Sequence, residues 1–181
     1  ATPVTQARNG DVLASPMMQD DTDFDLAMRG LIAREERLDI RGATDEVVWR
    51  AEDYAFLEAE PPATVNPSLW RQSQLNAIHG LFEVTEGVYQ VRGYDLSNMS
   101  IIDGPEGRII IDPLTSVETA RAAMQLVNAE LGERAIAAVI LTHSHIDHFG
   151  GLAGVVDLDD IASGEVSLIA PADFLTEAVS E

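Results

Sequence analysis

Short apolar segments of strand-like composition recur along the chain after Gly80. They are rich in β-branched and aromatic residues, and turn-like sequences at Glu86-Gly87 and at residues 104–107 separate them. The segments are LFEV (residues 81–84), GVYQV (87–91), MSII (99–102) and RIII (108–111). Their length and close spacing predict paired antiparallel strands.

A long helix is predicted from Ser116 to Leu131, because apolar residues recur there at steps of three and four and Gly132 follows. The next apolar strand is AAVIL (137–141), and a further strand and helix follow in VSLIAP (166–171) and in residues 173–179. Strands that alternate with helices are typical of parallel strands joined by helical crossovers. The pattern therefore predicts a layered α/β core from about residue 81 onward.

The first 80 residues have a different pattern. Residues 1–20 carry turn formers and no lasting periodicity, so we expect an arm that lies over the surface. Helical spacing begins at Asp21, and a second helical stretch is predicted from Asp45 to Leu57. The first prediction rests on the apolar residues Phe24, Leu26, Ala27, Leu31 and Ile32. In the second stretch the core candidates are Val48, Tyr54 and Phe56. A third helix is predicted to start at Asn66-Pro67-Ser68 and to run to Gly80.

Gly80 is the one domain boundary that the pattern indicates. We predict an N-terminal arm and mainly helical extension over residues 1–80, followed by the first part of an α/β domain over residues 81–181. His79 stands alone just before this boundary. We interpret it as a helix-end residue rather than a metal ligand, because a polar or cationic side chain suits a helix C-terminus.

The composition excludes several kinds of function. Acidic residues outnumber basic ones by 31 to 11, the formal net charge is −20, and every basic residue is arginine. Phosphate binding needs a basic face, so we expect no nucleic-acid partner. The acidity suits either a solubilising surface or a saline habitat. Cysteine is absent, so any metal must bind through nitrogen and oxygen ligands. No apolar run is long enough to predict a membrane span.

Three of the four histidines lie within THSHIDHFGG (residues 142–151), directly after the strand AAVIL. A single histidine in a loop usually makes only hydrogen bonds, but His-rich short tracts are typical of metal sites. Residues two apart on extended chain point the same way, so His143 and His145 can hold one ion together. Asp147 and His148 are then available for another ion. The spacing therefore predicts a site for two metal ions.

The motif His143-x-His145-x-Asp147-His148 resembles the signature of the metallo-β-lactamase superfamily. Asp112, at the end of RIIID, matches the superfamily's other early motif, an aspartate that braces the histidine loop. Gly150-Gly151 permits close backbone packing below the motif. The resemblance implies the first half of an αββα sandwich, preceded here by the helical extension.

A narrower resemblance extends from about Asp23 to the end of the chain. PATVNPSLWRQSQLN, GVYQVRGYDLSNMSII and DPLTSVETARAA, together with the histidine motif, are similar to the amino-terminal half of the class III alkylsulfatases. This implies zinc-dependent hydrolysis of alkyl sulfate esters to alcohol and sulfate. His143 and His145 would bind one Zn²⁺, and Asp147 and His148 the other, with a bridging hydroxide that Asp147 also orients. Tyr94 and Asn98, in the shared stretch, are candidate substrate contacts.

Members of that family are several times longer than this chain, and their remaining ligands lie beyond it. We therefore expect the chain to act with a C-terminal segment of the same enzyme as its partner. We also expect a periplasmic or secreted location, and a homodimer stays open. Three alternatives remain: another hydrolase of the same fold (lactamase, thioesterase or lactonase), an iron-dependent oxidoreductase, and a metal-binding part that is inactive alone.

Overall fold

Nine strands form a seven-stranded mixed sheet and a separate hairpin in the computed structural model, which describes residues 1–180. The strands are β1 (Leu31–Ala33), β2 (Asp39–Arg41), β3 (Val47–Arg50), β4 (Gly80–Thr85), β5 (Val88–Arg92), β6 (Met99–Asp103), β7 (Arg108–Ile111), β8 (Ile136–Ile140) and β9 (Ser167–Ile169). The large sheet has the order β1-β4-β5-β6-β7-β8-β9, and β2 pairs with β3 in the hairpin.

The predicted strands after Gly80 are confirmed, and so is their direction. β4, β5, β6 and β7 pair antiparallel, whereas β7 with β8 and β8 with β9 pair parallel. The register aligns Ile101, Ile110 and Val139 across three neighbouring strands, and all three are fully buried. Burial of such a row stabilises the sheet through apolar cross-strand contacts. The α/β class is therefore confirmed.

Seven α-helices and three short 3₁₀ segments connect the strands within residues 1–180. The helices are α1 (Pro3–Leu13), α2 (Thr22–Met28), α3 (Pro67–Asn76), α4 (Val117–Leu131), α5 (Leu152–Val155), α6 (Leu158–Ser163) and α7 (Phe174–Ser180), and the 3₁₀ segments are Pro16–Gln19, Ala51–Glu58 and Ile146–His148. In the described part of the chain, no helix combines the length and apolarity needed to cross a membrane.

Helix α4 covers the core, as its spacing predicts. Ser116 caps its first turn in a reciprocal capping box with Thr119. Ala120, Ala123 and Val127 face inward and are fully buried together with the apolar face of the sheet. A helix of 15 residues with this buried face is held mainly by packing.

The expected surface arm at residues 1–20 is wrong in one respect, because residues 3–13 form helix α1. Thr2 caps that helix and accepts from the Thr5 N–H, with Pro3 at the first helical position. No residue of α1 is buried, so the helix has no apolar periodicity to detect. The local capping signal at Thr2-Pro3 was the one available indication.

Two helical predictions in the extension are confirmed only in part, because α2 covers Thr22–Met28 of the first stretch and a 3₁₀ segment, Ala51–Glu58, covers the end of the second. The stretch from Asp21 ends as α2 at Met28, and Leu31 and Ile32 belong instead to β1, after the positive φ of Gly30 (76°) turns the chain. Residues 47–50 form β3, so the adjacent Val48 and Trp49 lie on opposite sides of a strand. Phe56 is 57% exposed and Tyr54 is 38% exposed, so these two side chains are not core residues.

The third helix of the extension is confirmed at its start, where the Asn66 side chain accepts from the Ser68 N–H. It ends at Asn76 rather than at Gly80. Because β1 pairs with β4, the extension contributes a strand to the large sheet, and Leu38 and Ile40 from the hairpin lie in the main core. The division of the chain at Gly80 stays a prediction, and Glu181 lies outside the described residues.

Candidate metal centre

The histidine-rich segment lies at the sheet edge where β7 and β8 both end. These strands are parallel, so the residues that follow them meet at the same edge. Asp112 follows β7, and Thr142 and His143 follow β8 after Leu141. The Asp112 N–H donates to the Ile140 carbonyl oxygen at 3.0 Å. The sheet therefore brings together residues that are 30 positions apart in sequence.

Asp112 contacts the histidine segment at two residues, Thr142 and His148. Its Oδ1 accepts from the Thr142 N–H at 2.8 Å, and its Oδ2 accepts from the Thr142 hydroxyl at 2.7 Å. Oδ2 also lies 2.8 Å from His148 Nδ1. Because an ionised carboxylate only accepts, Nδ1 carries the hydrogen, and the lone pair of His148 is left on Nε2. These contacts fit a brace that orients a metal ligand.

The four predicted ligands form two pairs. His143 Nε2 lies 3.1 Å from His145 Nδ1, and His148 Nε2 lies 3.3 Å from Asp147 Oδ2. Two donor atoms at about 2.0–2.1 Å from one tetrahedral zinc ion lie roughly 3.3 Å apart. Each pair is therefore spaced as two ligands of a single ion would be.

The two pairs adjoin each other. The ring centroids of His143 and His148 are 4.0 Å apart, and those of His143 and His145 are 4.7 Å apart. Ligand atoms of Asp112, His143 and His148 also lie within 4.8 Å of one another. Both Asp112 oxygens already accept hydrogen bonds, which fits the predicted bracing role of Asp112, and ligation by the imidazoles stays a prediction. The donor set suits a divalent cation.

The segment after the motif packs tightly on the loop that follows β7. A Cβ atom at Gly151 would lie 2.0 Å from the Pro113 carbonyl oxygen, and one at Gly150 would lie 2.1 Å from the Thr115 carbonyl oxygen. The Gly151 N–H donates to the Leu114 carbonyl oxygen at 2.9 Å. Only glycine fits at these two positions, and this close approach fixes the exit of the histidine loop.

Two residues that the sequence does not single out support the loop, Ser97 by a direct bond and Asp95 through Ser97. The Ser97 hydroxyl donates to the Asp147 carbonyl oxygen, and the Asp95 carboxylate accepts from the Ser97 N–H at 3.1 Å. Both side chains are buried. The Asp-x-Ser sequence indicates a local turn, but nothing in it indicates a contact 50 residues away.

The two candidate substrate contacts lie in different surroundings. Tyr94 is fully buried in the core, and burial raises the pKa of its hydroxyl. No hydrogen-bond partner for that hydroxyl exists among residues 1–180, and in this conformation it has no surface to offer a substrate. Asn98 lines a cavity of about 720 Å³ that the aromatic side chains Trp49, Phe56 and Trp70 also border. A substrate contact by Asn98 stays a prediction.

His79 does not lie in the last turn of α3, as its interpretation as a helix-end residue required. It follows the helix after the C-cap at Ala77, and its Nε2 lies 2.9 Å from the Glu35 carbonyl oxygen. It therefore ties the extension to the start of β4. His79 is not among the clustered ligand groups found in the described part of the chain.

Comparison with protein families gives a match over part of the chain. Residues 92–180 match the family described as the metallo-beta-lactamase superfamily. This region contains every member of the two ligand pairs as well as Asp112.

Curated relatives match the whole chain. A linear primary-alkylsulfatase from a Pseudomonas species is 50% identical over 183 residues, which cover 100% of this chain and 27% of the relative. An alkyl/aryl-sulfatase from Saccharomyces cerevisiae is 48% identical and is covered over 28% of its length, for 99% of this chain. The chain thus spans about a quarter of the length of the relatives that it matches.

Among solved structures, a stereoselective inverting sec-alkylsulfatase from a Pseudomonas species superposes with a TM-score of 0.91 at 48% identity. The match covers 100% of this chain and 28% of that protein. The fold of the extension and of the sheet is therefore shared along the full length of the chain.

Proposed function

Because the chain belongs to the metallo-β-lactamase superfamily, and matches the amino-terminal part of alkylsulfatases along its whole length, we propose that the intact protein hydrolyses alkyl sulfate esters. Water adds across the ester bond, and the products are an alcohol and hydrogen sulfate. Two pairs of donor residues support this proposal, His143 with His145 and Asp147 with His148. The two donor atoms of each pair lie as far apart as two ligands of one metal ion would.

We propose two Zn²⁺ ions as the metals. Divalent cations supply two kinds of chemistry at such a site: they lower the pKa of bound water toward neutrality, and they neutralise charge on ester oxygens. The second effect has particular value here, because a chain of net charge −20 repels an anionic substrate on average. A local positive centre would offset that repulsion.

The residues of this chain prepare the site. Asp112 holds Thr142 and His148, and so it fixes both the start of the loop and the tautomer of one ligand. Asp147 lies beside His148 Nε2 and offers a carboxylate that can orient the attacking water. We propose that the ligands still needed by each ion come from a C-terminal part of the same enzyme, since the relatives extend well beyond the length of this chain.

The test is sulfate release from dodecyl sulfate by the intact protein loaded with zinc. We expect release that stops when a chelator removes the metal and returns when zinc is added back. The matched control is His79→Ala, because His79 is a histidine outside the cluster and should leave the metal content unchanged. Fully loaded protein that releases no sulfate but opens a lactam, a thioester or a lactone would overturn the proposal. Bound iron together with oxygen consumption would instead favour an oxidoreductase.

A further inference from the structure

A side chain from the loop between β5 and β6 contacts the histidine segment, residues 142–151. Ser97 lies in that loop, and its hydroxyl donates to the backbone carbonyl oxygen of Asp147. Ser97 is only 7% exposed, so water competes poorly for this bond. Asp147 itself lies in a 3₁₀ segment of three residues, Ile146–His148. The bond therefore holds the peptide group that joins two predicted ligands.

Asp95 holds Ser97 in turn. Its Oδ1 accepts from the Ser97 N–H at 3.1 Å, while its Oδ2 accepts from the Thr115 N–H at 2.8 Å and from the Thr119 hydroxyl at 2.6 Å. Asp95 is 8% exposed. One buried carboxylate thus joins the β5–β6 loop to the segment after β7 and to the first turn of α4. A carboxylate near a helix N-terminus is favoured by the helix dipole.

This arrangement is more extensive than the turn at Asp95 requires. An Asp-x-Ser turn needs only the bond from the Ser97 N–H. Asp95 nevertheless makes two further bonds, to Thr115 and Thr119, and the Ser97 side chain donates to Asp147. Rotation of the Asp147 peptide would move the Asp147 carboxylate and the His148 ring together. Displacements of about 1 Å at such groups cost on the order of 100-fold in rate.

We propose that Asp95 and Ser97 are positioning residues that fix the orientation of the Asp147–His148 pair, and thereby the affinity of the ion held by that pair. Asp112 contacts both Thr142, at the start of the loop, and His148, whereas the Ser97 bond reaches the peptide group between Asp147 and His148. Loss of the Ser97 bond is therefore expected to weaken the ion held by Asp147 and His148 more than the ion held by His143 and His145. This inference rests on the proposed metal site but not on the identity of the substrate.

The test is metal titration of the intact protein and its Ser97→Ala variant with Co²⁺ in the absence of substrate. The absorption spectrum of bound Co²⁺ reports how far each metal site is occupied. We expect Ser97→Ala to bind the first equivalent as the unmodified protein does and the second about 10–100-fold more weakly, as is typical when an outer support is lost. The matched control is Ser100→Ala, because Ser100 lies on the neighbouring strand and its hydroxyl accepts from Gln90 instead.

Asp95→Asn provides a second variant. Its amide group would face the N–H and hydroxyl donors of Thr115 and Thr119, so we expect the same selective weakening of the second ion together with a lower melting temperature. A folded Ser97→Ala protein with an unchanged second affinity would overturn the inference, and so would equal weakening of both ions. Because no substrate is present, these outcomes are independent of whether the intact protein hydrolyses alkyl sulfates.

Discussion

Replacing Asp112 by asparagine tests whether Asp112 sets the tautomer of His148, a predicted metal ligand. The side chains have nearly the same shape, and the asparagine oxygen can still accept from the Thr142 N–H. The amide nitrogen, however, would take the place of Oδ2, which accepts from the Thr142 hydroxyl and faces His148 Nδ1. An amide nitrogen cannot accept from Nδ1–H, so the ring must lose this bond or move its hydrogen to Nε2, the atom that faces Asp147.

The expected magnitude follows from the bonds that change. The lost contact is a hydrogen bond to a carboxylate, which contributes about 1.5–3 kcal/mol. Loss of such an outer partner of a metal-ligating histidine weakens metal binding about 10–100-fold, which corresponds to roughly 1.4–2.8 kcal/mol. The two ranges agree, so we expect Asp112→Asn to lower zinc affinity by one to two orders of magnitude while the fold persists.

Competition with a chromophoric chelator measures this affinity in the intact protein. Asp157→Asn is the matched control, because Asp157 caps α6 by accepting from the Asp159 N–H, a role that asparagine performs equally well. If Asp112→Asn retains its circular dichroism spectrum and also the zinc affinity of the Asp157→Asn control, the tautomer argument is refuted.

Three further substitutions test the packing around the site, each by thermal melting of the intact protein. Tyr94→Phe removes a buried hydroxyl that lacks a partner among residues 1–180, so we expect stabilisation by about 1 kcal/mol; a loss would reveal a partner for that hydroxyl. Gly151→Ala places a Cβ atom 2.0 Å from a backbone oxygen and should lower the free energy of unfolding by about 1–3 kcal/mol or more. Gly10→Ala, in open space on α1, should raise it by about 0.5–1 kcal/mol. Equal effects of the two substitutions would contradict the packing account. Arg108→Met breaks bonds from a fully buried guanidinium to Asp103, Asn128 and Gly132 and should cost about 2–4 kcal/mol, so an unchanged melting temperature would contradict a structural role.

The sequence predicted best where local pattern and packing agree. Ser116–Leu131 reads as a helix because its apolar spacing is the face that the core buries. Helix α1 cannot be predicted from apolar spacing, because none of its residues is buried. The helical prediction is wrong at residues 47–50, because these residues become a strand only by pairing with residues 39–41, which lie before them across a turn. Whether these two segments form a helix or a strand depends on burial and on pairing with separate segments. The local spacing of apolar residues carries no information on either.

The candidate site divides in the same way. His143, His145, Asp147 and His148 share one short motif, so their chemistry and spacing could be predicted together. The tie from Asp95 through Ser97 could not, because it joins segments 50 residues apart through a backbone oxygen that any residue type would offer. When a side chain bonds to a backbone oxygen, the residue type of its partner can be anything. The sequence therefore gives no sign of which residue the partner is.

The order of the strands in the sheet follows the order in which a ribosome makes them. From β4 to β9 each strand pairs with the one synthesised just before it, and β1 needs only β4. A chain that emerges amino terminus first can therefore add each new strand to an edge that already exists. The histidine segment leaves the ribosome directly after β8, so its predicted ligands appear only once β7 and Asp112 are available to contact them.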